Sequence, residues 1–265
     1  MLVNILGCGV MGSQIAALMS LLGCDVQIWN RSSGPEVSTK FARALRLMKR
    51  SAPSGVLEGK VTFVDSVQHL SQTVTIEALI EDLDVKHDIV ASLQYDVADH
   101  GLFTNTSSLD SGRVHPSAVG LHFFNPVHVV KVLELSRKLD QLRPHSKDMM
   151  ARIMAAGYEV IEVNSNPGYI GNFILFQEIS AVFKLVDVYG YACGQIDKLT
   201  RALGRSASIF DVIDLIGIDV TKQILENLRV EDTSFYVSPC FERALVKGIM
   251  GRKNKTTIRS VISSE

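Results

Sequence analysis

The chain has 265 residues, enough for one large domain or two modest ones whose cores need neither disulfide nor metal. Its 27 Lys and Arg against 28 Asp and Glu leave a formal net charge of −1, which argues against a nucleic-acid binder run by bulk charge and against a polybasic membrane protein. Hydrophobic residues at 46% and charged residues at 21% belong to an ordered globule, and no apolar run reaches the ~18 residues that a bilayer span needs.

In chain order, residues 2–6 read as a short buried strand. Gly7-Cys8-Gly9-Val10-Met11-Gly12 follows, then a helix over 13–22 with Ile15, Leu18, Met19 and Leu22 at helical spacing and Gly23 as its stop. Residues 26–29 alternate as a second strand, which completes one βαβ unit. A helix is predicted over 36–50, strands over 61–64 and 74–80, and a helix over 81–95. Residues 102–105, 119–124 and 158–163 are strand-like. Strands alternating with helices predict a parallel sheet covered on both faces.

The turn formers Asn164-Ser165-Asn166-Pro167-Gly168 then mark a change of character. Helices are predicted over 172–189, 195–203, 209–228 and 240–250, with no strand among them. The expected fold class is therefore α/β: a Rossmann-like dinucleotide-binding domain over 1–165 with a mostly parallel sheet, then an all-α domain over 166–265.

The glycine pattern sits where a phosphate loop needs it, after a strand and at the opening of a helix. Gly7 lets the chain turn, Gly9 lets the backbone approach a pyrophosphate, and Gly12 lets helix and strand pack closely. The helix N-terminus then offers its free N–H groups to the phosphates. A strand that serves NAD usually ends in an acid at the adenine ribose. Here it ends Trp29-Asn30-Arg31-Ser32-Ser33, with Asn30 in that place. An acid would repel a ribose 2′-phosphate; Asn30 does not, and Arg31 with Ser32 could bind one, so NADP(H) is favoured over NAD(H).

Cys8, Cys24, Cys193 and Cys240 form no C-x-x-C pair and no zinc spacing, so free thiols in a reducing compartment and no metal are expected. The segment MLVNILGCGVMG has neither a basic leader nor a transit-peptide composition, and a cytoplasmic protein is expected.

The most specific string is Leu121-His122-Phe123-Phe124-Asn125-Pro126-Val127. It resembles the signature of the short-chain 3-hydroxyacyl-CoA dehydrogenases. Four further matches occur in the right order. Glu77-Ala78-Leu79-Ile80-Glu81-Asp82-Leu83 is similar to the family's E-A-x-x-E-[ND]-L, and Asn105-Thr106-Ser107-Ser108-Leu109 to its N-T-S-S-L. Glu134 follows His122 at the family's spacing. Asn166-Pro167-Gly168-Tyr169-Ile170-Gly171-Asn172 resembles its T-P-G-F-I-x-N. Residues 210–219 continue the likeness more loosely.

The resemblance implies interconversion of 3-hydroxyacyl and 3-ketoacyl thioesters by hydride transfer to or from NAD(P), NAD(H) being the family default. His122 would be the base for the hydroxyl proton, the usual choice near neutral pH. Glu134 would orient its ring. Ser107 and Asn172 would meet the substrate oxygen, and Glu81 and Lys86 the nicotinamide side of the cofactor. Asn172 comes from the helical domain, which places the expected site between domains. Arg43, Arg46 and Arg50 share one face of the second helix, where they could meet phosphates of CoA or of a carrier arm. The implied partner is an acyl-CoA thioester and the implied assembly a homodimer.

Three alternatives stand beside this reading. The acyl group could ride on an acyl-carrier protein in a biosynthetic pathway. The chain could be another hydroxyacid dehydrogenase, but that class uses a catalytic lysine in a motif absent here. It could be a non-enzymatic cofactor-binding relative, against which the intact Ser107, His122, Glu134 and Asn172 set argues. Three departures from the family pattern fall in the helical domain. Phe173 replaces the usual Arg. Residues 204–209 replace a G-P-M-G-P loop. The final G-R-K-T-G-K-G-F-Y is cut to residues 251–257. The loop between Ser108 and His122 is also short. These put acyl-chain preference and the dimer surface in question.

Overall fold

The computed structural model describes residues 1–50 and 58–262. The chain divides into two compact units, Met1–Tyr169 and Ile170–Glu265. The first contains β1 (Leu2–Leu6), α1 (Val10–Leu21), β2 (Asp25–Trp29), α2 (Pro35–Lys49), β3 (Val61–Val64), β4 (Val74–Glu77) and α3 (Leu83–Ala91). It continues through α4 (Val97–His100), β5 (Leu102–Thr104), α5 (Ser111–Val114), β6 (Ala118–Phe123), β7 (Val132–Leu135), α6 (Pro144–Ala155) and β8 (Glu159–Glu162).

The eight strands form one sheet in the order β3-β2-β1-β4-β5-β6-β7-β8. Strands β1 to β6 pair in parallel, β7 runs antiparallel to β6, and β8 pairs in parallel with β7. The central strands read as continuous apolar runs because both of their faces are covered; β1 and β6 are buried along nearly their whole length. One core joins α1, α2 and α6 to the sheet through residues such as Ile15, Met19, Phe41, Met149 and Ile153.

Register decides where the chemistry can sit. Leu6 of β1 pairs with Glu77 at the end of β4, Glu77 with Thr104 at the end of β5, and Thr104 with Gly120 of β6. Strand β6 continues beyond that line, so His122 projects past its parallel neighbours on their carboxyl edge. The Asn105 side chain fixes this extension by accepting from the Phe123 N–H at 2.9 Å.

Several boundaries differ from the sequence expectation. The helix expected over 81–95 starts later, at Leu83, because the Asp82 carboxylate caps it by accepting from the Val85 N–H. That frees Glu81 to turn elsewhere. Helix α6 and strand β7 were not anticipated; β7 is only four residues long and merges with the apolar run after the His-Phe-Phe-Asn-Pro string.

The second unit contains α7 (Gly171–Asp187), α8 (Cys193–Ala202), α9 (Ile209–Ile216), α10 (Ile218–Glu231), α11 (Pro239–Val246) and α12 (Arg259–Ile262) around its own apolar core. No strand occurs among its described residues. The single helix expected over 209–228 is two, because Gly217 sits at φ +103 and breaks the α conformation. Phe173, the departure from the family Arg, packs edge-on against Phe235 with ring centroids 5.2 Å apart. Arg205 of the altered loop forms an ion pair with Glu178. Arg259 bonds Asp197 and Asp211 and lies over the Phe210 ring. The first two departures are thus absorbed into a packed helical unit.

Candidate active site

The loop after β1 has the form that a pyrophosphate requires. Gly7 stands at φ +95, and a Cβ on Gly12 would fall 2.0 Å from the Gly7 carbonyl oxygen. A Cβ on Gly9 would meet nothing within 4 Å, so open space faces the loop there. No side chain caps α1, which leaves its first-turn N–H groups for an anion. These features fit a dinucleotide phosphate.

Asn30 is committed locally. Its Oδ1 accepts from the Cys8 N–H at 2.8 Å, and its Nδ2 donates to both the Ser32 carbonyl and the Ser32 hydroxyl at 2.9 Å. The side chain therefore ties the end of β2 to the glycine loop and sets the Ser32 hydroxyl beside the exposed Arg31. Among the described residues Arg31 has no ion-pair partner.

On β6 and β7 the antiparallel register sets His122 opposite Glu134. Their side chains meet, His122 Nδ1 lying 2.7 Å from Glu134 Oε2, and both are buried. The imidazole is walled by rings, with Phe124 centred 4.7 Å away and Tyr169 at 5.6 Å and tilted by 31°. Gly120, on the same face two residues before His122, makes room for Tyr169; a Cβ there would lie 2.1 Å from the phenol oxygen. Burial is the main cause that pushes the Tyr169 phenol well above its usual range, with the carboxylates of Glu81, Asp110, Glu134 and Glu77 adding to it. Gly120→Ala is expected to cost about 1–3 kcal/mol of stability through overpacking. Addition of Tyr169→Phe should restore part of it; a denaturant midpoint equal to that of the parent would refute the close approach.

A second polar cluster stands beside it at the ends of β4 and β5. Glu77, fully buried, accepts from Lys86 Nζ at 2.7 Å, from the Leu79 N–H at 2.6 Å and from the Thr104 hydroxyl at 2.5 Å. Glu81 Oε1 accepts from the Thr106 hydroxyl, from the N–H groups of Ser107 and Ser108 and from the Ser108 hydroxyl, at 2.6–3.0 Å. Lys86 Nζ bridges the two carboxylates, with Glu81 Oε2 at 3.3 Å. Burial alone would raise the Glu81 pKa, but Lys86 and the four donors outweigh it and hold the carboxyl below its usual range. Burial would lower Lys86, yet Glu77 and Glu81 together hold it above the usual lysine range.

The first unit therefore gathers Gly7, Gly9, Gly12, Asn30, Arg31 and Ser32 around one loop. Glu81, Lys86 and Ser107 gather at a second place and His122 with Glu134 at a third, all at the carboxyl edge of the parallel strands. Asn172 belongs to the second unit, as the second residue of α7. Arg43, Arg46 and Arg50 are exposed along α2 and its C-terminal end. Sequence reasoning quoted Glu77 without a role; a charged residue ending an otherwise apolar strand was the available signal. It also passed over Gln14, which bonds both Asn125 and the Val127 N–H and so holds the loop after β6 against α1. No spacing rule would have found that contact. Among the described residues, no group of His, Cys, Asp and Glu could hold a metal ion, and all four cysteines are free and buried.

A parallel sheet with a glycine phosphate loop at one strand end and a buried histidine–glutamate pair at another defines a nucleotide-dependent oxidoreductase. Comparison with known proteins narrows the class. Residues 2–165 match the family described as 3-hydroxyacyl-CoA dehydrogenase, NAD binding domain, and residues 168–260 its C-terminal domain. A 3-hydroxybutyryl-CoA dehydrogenase of Mycobacterium tuberculosis is 26% identical over 275 residues, covering 95% of each chain. The human mitochondrial hydroxyacyl-coenzyme A dehydrogenase is 24% identical over 277 residues, covering 95% of this chain and 88% of its own. The crystal structure of M. tuberculosis FadB2 superposes with a TM-score of 0.79 at 24% identity over 97% of both chains. That of the (S)-3-hydroxybutyryl-CoA dehydrogenase PaaH1 from Ralstonia eutropha gives 0.77 at 23% identity, again over 97% of both. The chain belongs to the 3-hydroxyacyl-CoA dehydrogenase family, oxidoreductases that act on a CH–OH group.

Proposed function

We propose that the chain interconverts 3-hydroxyacyl-CoA and 3-ketoacyl-CoA thioesters with NAD(P), NADP(H) being preferred. The observation that carries this reading is the buried His122–Glu134 pair, 2.7 Å apart, on the sheet edge that also bears the glycine loop. The nicotinamide, when bound, accepts or delivers the hydride. His122 takes the hydroxyl proton on Nε2, since Nδ1 is engaged by Glu134. The Glu134 carboxylate keeps the ring in that tautomer and stabilises the imidazolium that forms. Ser107 and Asn172 polarise the 3-keto oxygen in the reductive direction, as the family pattern implies. Glu81 and Lys86 border the nicotinamide, with Glu77 beneath them as support. Arg43, Arg46 and Arg50 offer an exposed cationic face to the phosphates of CoA.

Exposed apolar residues of the second unit, among them Ile174, Val188 and Tyr189, support a homodimer built through it. The free thiols support a reducing, cytoplasmic setting. No helix of the described residues is long and apolar enough to cross a membrane.

Steady-state kinetics on acetoacetyl-CoA with NADPH and with NADH test the reading, with the assembly measured by light scattering. Turnover confined to carrier-bound acyl groups would replace CoA as the partner, and absence of turnover with either would refute the activity. Asn30→Asp sets a carboxylate beside Ser32 and Arg31, where it would repel a 2′-phosphate held by them. It is expected to lower the NADPH to NADH ratio of kcat/KM by about tenfold or more, equivalent to ~1.4 kcal/mol of repulsion. An unchanged ratio would remove Asn30 from cofactor selection.

A further inference from the structure

The opposite edge of the same sheet, where β5 and β6 begin, holds a cavity of 170 Å³ within the first unit. Phe103 and Val119 lie at its apolar side. Its polar wall is formed by Arg137 after β7, Gln141, Arg143 at the N-cap of α6, Ser117 and Ser146. No carboxylate lines it. Arg137 is half-buried, and among the described residues neither guanidinium has an ion-pair or hydrogen-bond partner.

Ser146 gives the second, independent sign. It is 1% exposed, in the first turn of α6, and lines the cavity. Its hydroxyl has no hydrogen-bond partner among the described residues. A Cβ on Gly101 would lie 2.5 Å from that hydroxyl oxygen, so the glycine is what lets Ser146 sit there. A hydroxyl that opens onto the cavity without a protein partner is free to bond a ligand there. Helix α6 is twelve residues long, has Pro144 in its first turn and no side-chain cap on its N-terminus. Its first-turn N–H groups add donors and a partial positive charge on the same side.

We propose that this cavity is a phosphate-binding site, which takes inorganic phosphate or the phosphate end of a phosphomonoester. Two unpaired guanidiniums, the Ser146 hydroxyl and an uncapped helix end form a donor-rich set with no carboxylate beside it. A tetrahedral oxyanion uses such a set fully, and guanidinium forks match its oxygens in pairs. The volume suits a phosphate group and excludes a dinucleotide. The cofactor phosphates have their own loop at the other end of the strands, so this is a separate site, and it does not rest on the proposed activity.

The test is calorimetric titration of the full chain, saturated with NADPH to fill the glycine loop, with inorganic phosphate and with phenyl phosphate. Sodium chloride at matched ionic strength is the control. Saturable binding of one phosphate per chain is expected, weakened at least about tenfold by Arg137→Gln and further by added Arg143→Gln. Ser146→Ala should weaken it several-fold. Tighter binding of phenyl phosphate would assign the site to an ester; equal or weaker binding would assign it to the free anion. Heat that does not saturate, heat matched by chloride, or an affinity unchanged in Arg137→Gln would overturn the proposal. Arg143 is exposed, so Arg143→Gln alone supplies a well-folded variant in which the loss must also appear.

Discussion

His122→Ala is expected to lower kcat by about 10²- to 10⁴-fold, the range for removal of a positioned general base, while dinucleotide affinity stays at the parental value. The two effects separate because the phosphate loop after β1 and the His122–Glu134 pair on β6 and β7 are built by different strands. Removal of the imidazole also takes from the buried Glu134 its bond to His122, so the protein is assayed well below its own melting temperature. Stopped-flow hydride transfer and NADPH titration on the same preparation check both halves. Turnover close to the parental rate would refute His122 as the base. Loss of cofactor binding in step with kcat would show that the substitution acts by unfolding the first unit.

The steric logic around His122 makes the site more than a hydrogen-bonded pair. Strand β6 extends beyond β5, Asn105 fixes that extension, and Gly120 lets the Tyr169 ring pack against the imidazole. His122 has little rotational freedom left, and a base held in one orientation loses nothing to reorganisation when the proton moves. The departure at Tyr169, where the family pattern has Phe, adds a hydroxyl with no hydrogen-bond partner among the described residues. Both that hydroxyl and the ring carbon that bears it lie within 3 Å of where a Cβ on Gly120 would stand, so Gly120 admits no larger side chain.

Much of this is legible in the residues alone. The βαβ opening was legible because glycine spacing, strand and helix occur in one short window. The His-Phe-Phe-Asn-Pro string and its four companions carried the chemistry. Elements set by long-range pairing were not legible. Strand β7 has no pattern of its own and exists because Leu133 and Leu135 fill the core while Glu134 faces His122. The break at Gly217 was hidden inside a pattern that satisfies helical spacing on both sides. Asn30 was read as a cofactor contact alone, yet its amide is spent on Cys8 and Ser32, so any cofactor preference acts through Arg31 and Ser32 as Asn30 arranges them. The role of Glu77 was not legible because one acid at a strand end says nothing of a lysine nine residues on until the helix folds back over it.

Lys86→Met is expected to destabilise the first unit by about 3–5 kcal/mol, the cost of leaving a buried charge without its partner. Glu77 is fully buried, and Lys86 is the only cation among the described residues within ion-pair distance of it. For a unit of this size the melting temperature should fall by roughly 6–20 °C. Lys86→Met combined with Glu77→Gln removes the orphaned charge while the new amide oxygen keeps an acceptor for the Leu79 N–H and the amide NH2 can donate to the Thr104 hydroxyl, and should recover more than half of the loss. If the double variant is no more stable than the single one, the destabilisation comes from lost packing of the lysine stem. The pH dependence follows from the directions of the two shifts. Glu81 is held below its usual range, so its contribution is present above the unfolded carboxyl pKa near ~4.3 and is lost as acid carries the solution through the lower folded value. Lys86 is held above its range, so its contribution is present below ~10.4 and is lost as the pH climbs through the higher folded value. Between about pH 5 and 10 the parental cluster contributes a constant amount, so the stability of the parent should show no step from Glu81 or Lys86 across neutral pH.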